Sequence, residues 1–329
     1  MRFALSEDAA AVRDGLRAAL SDSCPASLLR EASSPGGYEK VRALWSLLGA
    51  MGVPGLLVPE SRGGLGCDEL FLVVALEELG YVAAPGPLGE VISIVAPALA
   101  ETPGQEELLG LVLAGDALVA CDLGEGHVPY AQIGDAFVVV RDDALQLVAR
   151  DQVRIEPLTT IDPTRQAGRI RITGSQLSLS SAGLHRSLDR ATLAAAAELV
   201  GLSARMLDMT KDYVLTREQF GVPIGSFQAI KHALANSLIS IEFARPAVWR
   251  AAASMSSGDP EARCHVSMAK ALASDAVRHV ARTSIQCHGA MGYTVEYDLH
   301  FFVKRAWARC ADLGDSELHV SRVAQLLGI

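Results

Sequence analysis

Between Ala114 and Gly183 the chain changes texture, and that change restricts the fold more than any other feature. The stretches DAFVVVRDDALQLVARDQVRIEPLTT and RIRITGSQLSLSS are rich in β-branched residues, and Arg169 to Ile172 alternates polar with apolar, the period of a half-buried strand. On both sides the period is helical. Val12, Leu16, Ala19 and Leu20 share one helical face, and DELFLVVALEELG reads as a buried helix closed at Gly80. Further on, DRATLAAAAELVGLSARMLDMTKDYVLTRE and CHVSMAKALASDAVRHVARTSIQC are alanine-rich helices suited to close bundle packing. The expected fold is mainly α with a small β-domain. It comprises an N-terminal helical domain over residues 1–112, a shortened middle β-domain over 113–183 and a C-terminal four-helix bundle over 184–329. A chain of 329 residues, half of them hydrophobic, has the length for two or three packed units.

Charge and cysteine usage exclude several classes. The net charge of −9 comes with no basic stripe, which argues against nucleic acid as a partner. Six cysteines are scattered without a CxxC pair, and the N-terminus reads as an amphipathic helix rather than a charged-then-apolar leader. Reduced thiols and a cytoplasmic location are expected. The longest apolar runs are short or interrupted, so no membrane span is expected.

The segment TREQFGVPIGSFQAIKHALA, Thr216 to Ala235, interrupts this helical region. Gly221, Pro223 and Gly225 break backbone hydrogen bonding, so the segment predicts helix, short exposed turn, helix. Arg217 then ends the first helix and Gln228 opens the second, presenting a guanidinium and an amide to something anionic and planar.

That segment, together with MGVPGLLVPESRGGLG, APGPLGE and IQCHGAMGYTVEYDLHFFVKRA, resembles the acyl-CoA dehydrogenase family, and the four occur in the family's order. The resemblance implies an acyl-CoA dehydrogenase-like fold and FAD bound at a subunit interface. It places Arg217 on the flavin pyrophosphate, a role suited to a bidentate guanidinium, and Gln219, Phe220, Phe227 and Gln228 at the adenosine end. Gln286 and Gly289 match a second cofactor segment in which backbone amides approach the diphosphate, although Ala290 stands where a second glycine is usual. Cys287, His288, Cys264 and His265 lack recognisable metal-ligand spacing, and no metal is expected.

The resemblance also exposes departures. Removal of the substrate α-proton needs a carboxylate on the face opposite the flavin. The two positions where the family supplies that Glu fall on Leu313 and on Ala191, neither of which can accept a proton. Asp312, Asp315 and Asp189 are the nearby carboxylates. The segment that cradles the flavin ring and thioester is missing, with CDLGEGHVPY its nearest remnant. The implied role is the short, non-catalytic subunit of a heteromeric, FAD-dependent acyl-CoA dehydrogenase of the actinobacterial steroid-catabolism type. A longer catalytic subunit, in an α2β2 heterotetramer, would supply the base and hold most of the bulky acyl-CoA. Two rival readings are an autonomous flavoenzyme with an Asp base and a flavin-free assembly subunit.

Overall fold

A computed structural model describes residues 5–34, 36–180 and 183–329. Seven helices come first: α1 (Glu7–Ser23), α2 (Ala26–Ala32), α3 (Tyr38–Ala50), α4 (Glu69–Tyr81), α5 (Leu88–Glu90), α6 (Ala96–Glu101) and α7 (Glu106–Ala114). A π-helical turn over Val91–Val95 joins α5 to α6. Local chemistry sets the starts of the helices that carry polar caps. Ser6 caps α1 by accepting from Ala9 N–H, and the Asp68 carboxylate caps α4 by accepting from Leu70 and Phe71.

The strands occupy the stretch whose texture predicted them: β1 (Val119–Asp122), β2 (Ala136–Arg141), β3 (Ala144–Ala149), β4 (Val153–Pro157), β5 (Gly168–Ile172) and β6 (Leu177–Ser178). β1, β2, β3 and β6 form one sheet in that order, with β1 parallel to β2 and the rest antiparallel, while β4 and β5 pair separately. Asp142 and Asp143 both have positive φ, the geometry of a tight two-residue hairpin between β2 and β3.

The helical bundle follows, with α8 (Leu184–Thr216), α9 (Gln228–Ser257), α10 (Ala262–His288), α11 (Leu299–Ala311) and α12 (Ser316–Leu327). Where a four-helix bundle is expected, α8, α9 and α10 pack on one another, α12 packs against α10, and α11 lies against α8 and α10. Between α8 and α9 the chain forms a small hairpin of β7 (Glu218–Gln219) and β8 (Val222–Pro223). No helix among the described residues is long and apolar enough to cross a membrane.

The helical regions share one core that runs from Leu16 through β1 and β2 to Cys310, and a smaller cluster around Phe137 fills the β-region. Two glycines bring the N-terminal helices onto the bundle. A Cβ on Gly80 of α4 would lie 2.3 Å from the Glu198 carbonyl oxygen, and one on Gly201 of α8 would lie 2.0 Å from the Glu77 carbonyl oxygen. The two backbones touch where side chains would otherwise separate them. Gly201→Ala therefore forces α4 and α8 apart, and overpacking of this kind costs about 1–3 kcal/mol. A lowered midpoint in thermal unfolding is the expected outcome, whereas an unchanged midpoint would mean that the helices slide without loss.

Candidate functional site

The loop carrying Leu313 is held from below by charge. Lys270 of α10 is fully buried, and its ammonium donates to the carbonyls of Cys310 (3.1 Å) and Gly314 (2.8 Å). Burial pushes the Lys270 pKa down to about 8. His319 contacts the Leu313 carbonyl at 3.1 Å, and the Glu125 carboxylate accepts a hydrogen bond from the Leu313 N–H. Leu313 itself sits in the left-handed region at φ +60°. An aliphatic side chain therefore stands at this backbone position, on a loop fastened at several points.

Beside it, the interior is filled by ion pairs. Arg309 of α11 is buried and pairs with Glu90 of α5, with Glu198 of α8 at 2.8 Å and with Asp312 at 3.2 Å. Asp312 in turn takes two hydrogen bonds from Arg165, at 2.6 and 3.2 Å. One turn earlier, Arg305 pairs with Asp162 and donates to Thr164 Oγ1 (2.6 Å) and the Ala84 carbonyl (3.1 Å). Gly89 makes room for this network, since a Cβ there would lie 2.6 Å from Arg309 Nη2 and 2.7 Å from Glu198 Oε1. The spaces left among these groups measure about 20 and 10 Å³, at the scale of a single water rather than a substrate. On the far side of the Arg165–Asp312 pair, a surface hollow of about 280 Å³ opens between Trp307 and Ile161, and among the described residues Asp312 is the carboxylate that lines it.

The structure also locates the three carboxylates near Leu313 and Ala191. Burial disfavours ionisation of Asp312, but the Arg165 and Arg309 guanidiniums outweigh it and hold the carboxyl at about 2, far below the range of a general base. Asp315 is exposed and accepts from Leu318 N–H as the N-cap of α12. Asp189 lies 3.9 Å from Arg263, and burial raises its pKa while Arg263 opposes the shift. It sits roughly 14 Å along α8 from Glu198, given the helical rise per residue. Arg190 is engaged by Glu69 at 2.9 Å, and Ala191 is buried in α8. Glu125, His127 and Asp312 bring ligand-type atoms within 4.8 Å of one another. Two guanidiniums already neutralise Asp312, so a metal ion at this point would meet like charge.

The remaining predicted site residues gather at the other end of α8. Arg217 ends that helix, is exposed and makes no ion pair with the described residues. Phe220 and Gly221 both have positive φ and form the turn of the β7–β8 hairpin, which leaves the Phe220 ring 93% exposed. A bulky residue in the left-handed region is strained, and no burial within this chain offsets the strain. Phe227 packs edge-on against Phe220 with ring centroids 6.2 Å apart. Gln219 and Gln228 are exposed beside them, and α9 begins at Gln228 with no side-chain cap, leaving the positive end of its dipole open. Gln286 and Gly289 at the end of α10 are joined to this group by the stacking of Tyr213 on His288, with ring centroids 4.2 Å apart. Gly289 has φ 58° and ψ −132°, a conformation suited to glycine alone, and a Cβ there would meet open space. One unpaired guanidinium, two aromatic rings, exposed amides and an uncapped helix start form a surface suited to an anionic, planar ligand. Ala290 is exposed, and its methyl group does not close that surface.

The sequence reading missed the Arg165, Arg305 and Arg309 network. Its only sequence trace is the Arg305–Arg309 spacing of four within an otherwise apolar helix face, which directs two guanidiniums inward.

Comparison with known proteins agrees with this architecture. Residues 6–108 match the family model for the acyl-CoA dehydrogenase N-terminal domain, and residues 184–328 match that for the C-terminal domain. The chain is 32% identical over 290 residues to acyl-CoA dehydrogenase IpdE2 of Mycobacterium tuberculosis, covering 86% of this chain and 85% of the relative. It is 29% identical to acyl-CoA dehydrogenase FadE34 of the same organism, covering 96% of this chain but 47% of that longer relative. Among solved structures, a steroid ACAD variant, Tcur3481–Tcur3483, superposes with TM-score 0.87 at 27% identity, covering 98% of both chains. The ChsE4–ChsE5 complex of M. tuberculosis gives TM-score 0.87 at 26% identity, covering 100% of this chain and 99% of that one.

Two substitutions test the geometry. The ionised Asp312 carboxylate is stabilised relative to its ordinary pKa of 3.8. Its contribution of about 2 kcal/mol is complete above about pH 4 and is lost as pH falls through about 2. Asp312→Asn should remove that acid-side slope and leave Arg165 and Arg309 short of a counter-charge, at a cost of about 3–5 kcal/mol. Urea unfolding at pH 7 and at pH 3 measures both effects. Phe220→Asn relieves the left-handed strain and should raise the stability of the isolated chain by about 1 kcal/mol. A loss of stability in thermal unfolding would instead show that the ring packs productively within this chain.

Proposed function

This chain belongs to the acyl-CoA dehydrogenase family of FAD-dependent oxidoreductases, and on that footing we propose that it is the short, non-catalytic subunit of a heteromeric acyl-CoA dehydrogenase. The single observation carrying the proposal is the opposition between its two ends. At the base position stand Leu313 and a set of ion pairs with room for about one water. At the α8–α9 junction an exposed Arg217, Phe220 and Gln228, with a half-buried Phe227 beside them, await a ligand that this chain does not enclose.

Bound FAD would supply the hydride acceptor for substrate Cβ, with a carboxylate needed for the α-proton. In this reading both the flavin ring and the base belong to a longer partner. This chain's share is binding and orientation. The Arg217 guanidinium would hold the diphosphate, helped by the open start of α9, Gln219, Phe220, Phe227 and Gln228 would line the adenosine end, and Gln286 with the Gly289 backbone would hold the diphosphate as well.

Three further observations support a partner. The outer face of α9 exposes Leu238, Ile239 and Phe243, and α12 exposes Val320 and Leu326, an apolar surface of the kind that marks association. The two solved relatives are described as paired assemblies, one of them a steroid ACAD. FadE34 is a chain about twice as long that matches this one over nearly half its length. We therefore extend the proposal to an α2β2 heterotetramer acting on a bulky, steroid-type acyl-CoA held mainly by the partner. Free thiols at all six cysteines fit a reducing, cytoplasmic setting for it.

The test is co-expression with a longer acyl-CoA dehydrogenase chain, sought first among the products of the genes that neighbour this one. One FAD should be retained per long–short pair, and the short chain alone should be colourless. Arg217→Ala should weaken flavin affinity about ten- to hundred-fold, the loss of one charge-assisted phosphate contact of roughly 1.5–3 kcal/mol, while the chains still co-purify. Added FAD should restore most activity. A yellow, active homo-oligomer of the short chain would overturn the proposal, and unchanged flavin content in Arg217→Ala would remove Arg217 from the site.

A further inference from the structure

A second cavity lies on the opposite face of α4. Leu79 and Gly80 face the ion-pair network, whereas Glu78, Tyr81 and Val82 face a cavity of about 310 Å³ between α1, α2, α4, α8 and α11. Its inner wall is apolar. Leu20, Leu29 and Phe302 are buried there, and so is Cys24, whose thiol burial pushes up to about 12 and keeps neutral. Of its two arginines, Arg17 is already neutralised by a bidentate pair with Glu78 at 2.7 and 3.0 Å. Arg205 is not. Its guanidinium carbon lies 5.4 Å from the Tyr81 ring centroid and 5.6 Å from that of Phe302, and it makes no ion pair with the described residues. The Tyr81 hydroxyl is turned to Asp208, to which it donates at 3.0 Å.

Aromatic faces hold a guanidinium in place but do not saturate its in-plane N–H donors, which match a carboxylate bidentately. We infer that this cavity is a binding site for a small organic carboxylate with an apolar body, its acid group on Arg205 and its body against Leu20, Leu29 and Phe302. The volume is at the lower end of ligand pockets, roughly 300–1,000 Å³, which suits a single-ring or short branched acid and excludes a nucleotide. Charge sets the sign of the ligand, because the Arg17–Glu78 pair cancels, whereas Arg205, which touches Asp208 only through the shared Tyr81 hydroxyl, has no direct ion pair among the described residues. The site is independent of the flavin surface, since Arg205 lies three helical turns before Arg217 on α8.

The experiment uses the full chain in whichever assembly it purifies, titrated by calorimetry with sodium benzoate and, separately, with benzyl alcohol as the uncharged counterpart. Benzoate should bind saturably with one site per chain, roughly ten-fold or more tightly than benzyl alcohol. Arg205→Gln should abolish that preference while leaving the weak benzyl alcohol binding in place. Ser21→Trp, which fills the exposed mouth without touching the arginine, should remove both. Absence of saturable benzoate binding, equal affinity for acid and alcohol, or benzoate binding that survives both substitutions would each overturn the inference.

Discussion

The buried guanidinium of Arg309 is the contact on which the rest of the interior depends. It joins α11 to α5 through Glu90, to α8 through Glu198 and to the Leu313 loop through Asp312, and Asp312 extends the chain of charges to Arg165. Each charge, buried alone, would carry a desolvation penalty of several kcal/mol, so each requires its partners in place. That mutual requirement explains the side-chain-free position at Gly89 and the fastening by Lys270 of the end of α11 and the loop after it. It also explains why the neighbourhood of Leu313 is solid. A chamber for a substrate and a packed set of ion pairs cannot occupy the same volume.

With the interior closed, the features that folding leaves unexplained lie on the outside. An exposed phenylalanine in the left-handed region raises the energy of this chain and packs only edge-on against Phe227. A helix start without a cap and an arginine without a counter-ion are likewise neutral or mildly unfavourable for the chain alone. Their concentration at one end, held together by Tyr213 stacked on His288, is understandable if a ligand or a second surface completes them. The Arg205 cavity follows the same logic on a smaller scale, with one charge left over where its neighbour Arg17 is balanced.

Much of this arrangement was legible in the sequence. The switch from helical to strand period located the strands, because burial on one face imposes period two as strictly as a helix imposes 3.6. The Gly-Pro-Gly spacing after Thr216 announced a break between two helices. It did not announce the hairpin, because Phe220 in the left-handed region runs against its own preference and is held there by the β7–β8 pairing and the Gly221 that follows. Asp312 drew notice as a substitute base because it adjoins Leu313. The geometry makes it instead the partner of Arg165, 147 residues away.

That contrast marks the boundary between the two levels. The sequence by itself determined the kinds and order of the elements, the motifs shared with the family and the absence of a carboxylate at positions 191 and 313, because these depend on local periodicity and residue identity. Only the tertiary structure decided that the space beside Leu313 is filled, that Asp312 is locked in charge pairs and that Arg205 is left unbalanced. Arg309 meets Glu90 across 219 residues and Glu198 across 111, contacts that exist only because Gly80 and Gly201 let α4 and α8 touch and α11 dock beside them. Pairings over such separations leave no periodic trace in a sequence, because what brings them together is the packing of helices rather than the spacing of residues.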